Sequence, residues 1–260
     1  MQRRWLVELG FVSFTVALPG VGCAQSAWQV QVRDLLTNQG VPNVIVDART
    51  SGTNGVTDAT GLVELQVRGG DTGEAIFVHG SASYNYTVGH YGTGLPRTVW
   101  LVPYSMFHKT GMIPVTGTTS PIVFQGVTHS CMGPNPYTIE VEIPPDVLPE
   151  AADFWIVPVP AYASPYPLGA DAGVSAAAAQ FAVELKDANG KSITEVLPAP
   201  GIVVRFSPTW YTYGEIAQHQ DIVKATQYRL TQTSQDWDAQ PDDCYYDPEA
   251  GMFTAHLRAC

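Results

Sequence analysis

"QVQVRDLLTNQGVPNVIVDARTSGTNGVTDATGLVEL" spans residues 29–65, and its reading decides the fold. Polar and apolar residues alternate in short runs, which places one side of each strand on a core and the other in water. Between the runs, "TNQG", "GTNG" and "DATG" supply the Gly, Asn and Asp that reach positive φ and close hairpins. The same rhythm extends outward. It predicts strands at "WQVQV" (28–32), "VIVDAR" (44–49), "LVELQV" (62–67), "EAIFVH" (74–79), "YNYTV" (84–88) and "RTVWLV" (97–102). Strands spaced this evenly read as a β-sandwich.

Composition agrees. Hydrophobic residues make up 45% and charged residues only 14%, with 24 Gly and 20 Pro to break helices. A turn-rich chain with recurrent Val, Thr and Tyr is all-β. The net charge of −11 speaks against nucleic acid, whose phosphates need a basic face, and against docking on anionic lipid.

The order within the opening stretch resembles the carboxypeptidase regulatory-like domain, a transthyretin-type β-sandwich, over residues 28–103. A first strand ends in Asp34. Gly40 and Pro42 lead into a Val44-x-Val46 strand, and Thr57-Asp58-x-x-Gly61 opens the next. Pro pre-sets φ for a turn, Asp caps backbone N–H groups, and Gly takes a left-handed position. The resemblance implies a fold and no chemistry, since sandwich modules accompany unrelated activities.

Residues 104–120 read as a linker, although Met106, Phe107, Met112 and Ile113 are apolar enough to pack between domains. Strands resume at "PIVFQ" (121–125), "YTIEVEI" (137–143), "FWIVPV" (154–159), "QFAVELKD" (180–187), "GIVVRF" (201–206), "TQYRLTQ" (226–232), "CYY" (244–246) and "MFTAHL" (252–257). "GEIAQHQDIVKA" (214–225) has the look of a short helix, and "VPVPAYASPYPLGADAGVSAAAAQ" (157–180) that of a long surface loop. The segment "VEIPPDVLPEAADFWIVPV" is similar to ZU5-like extracellular β-sandwiches. The expected architecture is therefore two Ig-like or transthyretin-like sandwiches in tandem, the second at 121–260.

The N-terminus carries Arg3 and Arg4, then an apolar core from Leu9 to Leu18, then small residues ending at Ala24. This is the pattern of an export signal over residues 1–24, and its apolar run is too short to span a bilayer. Cutting before Cys23 would instead resemble lipoprotein processing. Cutting after Ala24 leaves Cys131, Cys244 and Cys260, an odd number in an oxidising compartment. One bridge between two of these is expected, with Cys131 the favoured participant. Asn85 heads the sequon "NYT" and is a candidate glycosylation site in a glycosylating host.

No His has a Glu three positions on, as a zinc carboxypeptidase requires, and no nucleophile elbow or phosphate loop occurs. The chain is read as non-enzymatic, with no catalytic residue and no cofactor. Asp236, Asp238, Asp242 and Asp243 are closely spaced carboxylates of the kind that Ca²⁺ takes, though a solvated acidic loop is the favoured reading because the EF-hand Gly and terminal Glu are missing. Trp210, Tyr211 and Tyr213 are candidate sugar-stacking rings, as are Tyr84, Tyr86 and Tyr91. Finally "QSAWQVQV" presents Trp28, Val30 and Val32 on one side of a strand that could pair with a neighbouring subunit. The expected partners are proteins, including further copies of the chain, or else carbohydrate. The expected role is structural or adhesive.

Overall fold

The computed structural model describes residues 25–68, 74–91, 97–130, 133–163, 179–207, 227–229, 238–240 and 244–258. Among these the secondary structure is all-β, with two short 3₁₀ turns and no α-helix. The expected export signal, the 214–225 helix and most of the 157–180 loop lie outside the described residues.

The first strands pair into two sheets. One has the order β4 (Leu62–Arg68), β1 (Gln25–Asp34), β7 (Arg97–Leu101). The other runs β3 (Thr53–Val56), β2 (Ile45–Ala48), β5 (Glu74–Val78), β6 (Thr87–Tyr91). Alternation does its work here. Trp28, Val30, Val32, Val63, Leu65 and Val67 from one sheet meet Val46, Ala48, Ile76 and Val78 from the other in a single apolar cluster. Burying a side chain of this size stabilises by about 1.5–3 kcal/mol.

The polar and glycine motif residues of the opening stretch shape its turns, while Val44 and Val46 enter the core. Asp58 accepts the N–H of Thr60 at 2.8 Å and of Leu62 at 3.0 Å, closing the turn before β4. Buried Thr57 donates its hydroxyl to Val41 O at 2.7 Å and accepts Val44 N–H at 2.9 Å, strapping the entry to β2. Gly61 has φ +81°, and a Cβ on Gly40 would stand 1.7 Å from the Thr60 carbonyl oxygen. Two chain segments cross there with no room for a methyl group, so Gly is required.

The remaining strands form a second pair of sheets. β12 (Phe181–Lys186), β11 (Ala152–Pro158) and β8 (His108–Ile113) make three strands. β16 (Cys244–Asp247), β17 (Met252–Leu257), β13 (Ile202–Phe206), β10 (Gly133–Glu142) and β9 (Ile122–Ser130) make five. Ile113, Phe154, Ile156 and Leu185 face Ile139, Val141, Ile202, Val204 and Phe253 in one cluster. β14 (Gln227–Arg229) and β15 (Asp238–Gln240) form a separate two-stranded ladder. Asp187 and Asp247 repeat the Asp58 device in the β12–β13 connection and the β16–β17 hairpin, each accepting backbone N–H groups of its own turn.

Three expectations change. Residues 104–120 are not a tether, because β8 pairs antiparallel with β11 and Ile113 enters the second core. "YNYTV" starts its strand later, at Thr87, with Tyr84 forming only an isolated bridge to Pro103. The turn-rich "TNGV" is itself a strand, held by pairing with β2.

Candidate functional site

The densest grouping of polar and aromatic chemistry lies where the two sets of sheets meet. Leu35, Val102 and Phe107 pack with Val157, Val159 and Ala163 into a third apolar cluster, flanked by Trp100, Tyr104, Met106, Trp155 and Ala182. A 3₁₀ turn, Tyr104–Met106, delivers Tyr104 and Phe107 to this seam. Residues 100–107 thus lead from the first core, at Leu101, into this third cluster.

On this seam the Trp155 indole takes two ammonium groups. Lys109 Nζ lies 3.9 Å and Lys186 Nζ 4.1 Å from its ring, and Lys186 Nζ is also 3.9 Å from the Tyr104 ring. Tyr104 and Trp155 meet edge to face at 5.4 Å. Each partly desolvated cation–π contact contributes about 0.5–2 kcal/mol. Lys186 also lies 3.4 Å from Glu184 Oε2, while Ser192 donates to Glu184 Oε1. Burial first, and then the Glu184 charge, push the Tyr104 hydroxyl well above the usual phenol range. Trp155 Nε1 is buried without an acceptor, a cost of about 1–3 kcal/mol. Chemically this is an aromatic box holding the protein's own lysine. Its contacts join β8, β11 and β12 to the Tyr104 turn.

The residues singled out from sequence are placed as follows. Trp28, Val30 and Val32 lie in β1, the central strand of its own sheet, antiparallel to β4 and parallel to β7, and all three are buried in the first core. As an interface strand they are already occupied. Asn85 is 5% exposed and its N–H donates to Val102 O at 3.0 Å. A glycan at this sequon would require the Asn85 side chain to leave its packed position.

Tyr84 donates its hydroxyl to Asp34 Oδ2 at 2.7 Å, and Tyr86 tilts against Phe77. Both rings are half-buried and engaged in local packing. The side chain of Tyr91 lies outside the described residues, as do Trp210, Tyr211 and Tyr213.

Cys244 is a free thiol, pushed up to about 11 by burial. It stands opposite Ala255 on β17, so the expected bridge does not form at this position; Cys131 and Cys260 lie outside the described residues. Of the Ca²⁺ candidates, Asp238 begins β15 opposite Arg229, whereas Asp236, Asp242 and Asp243 lie outside the described residues. Among the described residues no three His, Cys, Asp or Glu side chains converge as a metal site, and no helix is long and apolar enough to cross a membrane.

His79 Nε2 pairs with Asp47 at 2.7 Å, and His108 Nε2 bonds the Tyr137 hydroxyl at 2.7 Å while stacking on Phe124. The seam of Tyr104, Lys109, Trp155, Glu184 and Lys186 was not anticipated from sequence. Its one signal was the apolar character of residues 106–107 within an apparent linker. No protein family matches the chain, and no curated protein or solved structure matches it either.

Proposed function

We propose that this chain is a non-enzymatic structural or adhesion protein, exported to the cell surface or beyond, built as two β-sandwich domains in tandem. The first domain is read as the carboxypeptidase regulatory-like, transthyretin-type module. One observation carries the proposal. The Tyr104–Trp155–Lys186 seam ties the two apolar cores to each other with aromatic, cationic and aliphatic contacts. Coupling of that kind suits a rigid unit that bears or transmits load in an assembly. Around it, motif residues whose side chains could do chemistry bond to the chain's own turns: Asp34, Thr57 and Asp58 each satisfy backbone N–H groups.

Light scattering after size exclusion on the full chain, with negative-stain images of the same fractions, tests the reading. Ordered oligomers or filaments support it. A chain that stays monomeric at every concentration and turns over a polysaccharide overturns it. A carbohydrate-binding role is the second reading, favoured by Tyr162, which is 58% exposed and edge-on to Trp100 at 5.5 Å. A glycan array with no hits removes it.

A further inference from the structure

β9 ends the five-stranded sheet, and among the described residues no strand lies beside its outer edge. Its nine residues, "IVFQGVTHS", contain no Asp, Glu, Lys, Arg or Pro. Val123 is 52% and Val127 65% exposed, with exposed Gln125 between them. A long, flat, charge-free edge is a template for another strand. Other terminal strands among the described residues are blunted. β3, β6, β7 and β16 have at most five residues. β4 carries Glu64 and Arg68, and β12 carries Glu184 and Lys186. β8 carries Lys109, a left-handed Gly111 and a register break opposite Asp153 and Trp155.

The direction of the free hydrogen-bonding groups follows from β10. Ser207 N–H donates to Thr138 O at 3.0 Å, and Thr138 N–H donates to Ser207 Oγ at 2.9 Å. The Thr138 backbone therefore faces β13. Gln125, its partner on β9, then belongs to a non-bonded pair of the β9–β10 ladder. Its N–H and C=O face outward, and so do those of Val123 and Val127, two residues to either side.

We propose that two copies of this chain join their five-stranded sheets edge to edge through β9, antiparallel, about a twofold axis at Gln125. This rests on reading the chain as a self-assembling structural protein, and it names the surface. In this register Gln125 faces its counterpart, and Val123 of each copy faces Val127 of the other. Each of these pairs exchanges two backbone hydrogen bonds; the Val123–Val127 pairs set apolar side chains together and the central Gln125 pair sets amide against amide, as an isologous contact allows. Charge favours this edge. The chain carries −11, so two copies repel over most approaches, but the strand itself presents no charge. A seam about 30 Å long and one sheet thick buries less than the ~800 Å² per partner of a standard interface. The association is accordingly concentration-dependent.

Sedimentation velocity over a concentration series of the full chain tests this, with circular dichroism to verify folding. Wild type should pass from monomer to dimer. Val123→Lys/Val127→Lys sets like charges opposite each other and should raise the half-association concentration by about tenfold or more. Val123→Lys/Val127→Glu sets opposite charges together in this register and should restore dimers. The equally exposed Val196→Lys should change nothing. Association that survives the double-lysine variant in folded protein overturns the β9 interface while leaving self-assembly standing. A wild type that remains monomeric throughout overturns both.

Discussion

Asp34 shows how a single residue of the opening stretch is used. It is buried at the end of β1, accepting Leu36 N–H at 2.7 Å, Thr37 N–H at 2.8 Å and the Tyr84 hydroxyl at 2.7 Å. Burial alone raises a carboxyl, but here the Thr37, Tyr84 and Leu36 hydrogen bonds outweigh it and hold Asp34 below its ordinary value. Tyr84 is pushed up to about 12, by burial first and then by the hydrogen bond to and charge of Asp34. The signs follow by linkage. A depressed carboxyl stabilises the fold above about pH 4 and loses that contribution as pH falls through its folded value. A raised phenol stabilises below about pH 10 and loses its contribution as pH rises toward 12. Tyr84→Phe should cost about 1–2 kcal/mol at pH 7, measured by urea unfolding, and the difference from wild type should shrink between pH 10 and 12. A cost that stays constant across that range would show that the Asp34 contact contributes nothing. The Asp at the strand end was visible in sequence; its Tyr partner fifty residues away was not, because nothing local marks it.

Elements were legible where burial is one-sided. β1 and β4 alternate cleanly in sequence, and their Trp28, Val30, Val63 and Leu65 do fill a core. β8 was missed because "HKTGMI" holds only two strongly apolar residues. Its strand character comes from pairing with β11 and from Lys109 lying over Trp155, both contacts far along the chain. β3 was missed because Asn and Gly usually mark turns, and tertiary pairing overrides that preference. β1 is paired with β4 on one side and β7 on the other. A strand hydrogen-bonded on both sides, with its apolar residues buried, cannot be lent to a neighbour without emptying its own core. Deleting residues 25–33 should therefore abolish the near-ultraviolet signal of the first core and expose apolar surface to dye. A deletion variant that stays folded and merely loses polymers would instead favour strand donation.

At the scale of the whole molecule, the seam between the cores was the least legible part. It draws on residues 35, 100–107, 155–163 and 182–186, and no periodicity links positions so scattered. Only Met106 and Phe107 hinted at it, and both do pack there. The seam decides whether the chain melts as one unit or two. Trp155 is its centre, touching Tyr104, Phe107, Lys109 and Lys186. Trp155→Ala removes the indole and strands two ammonium groups over empty space. The cost should be about 2–4 kcal/mol, toward the low end for an aromatic truncation because the ring is half-buried. That loss falls on the coupling between cores rather than on either core. Calorimetry of wild type should show one transition, and Trp155→Ala should split it in two. Lys186→Met keeps the stem that packs on Tyr104 and removes the charge beside Glu184. It should lower the melting temperature less and leave a single transition. If wild type already melts in two steps whose separation Trp155→Ala does not change, the cores are independent and the seam is only a contact between them.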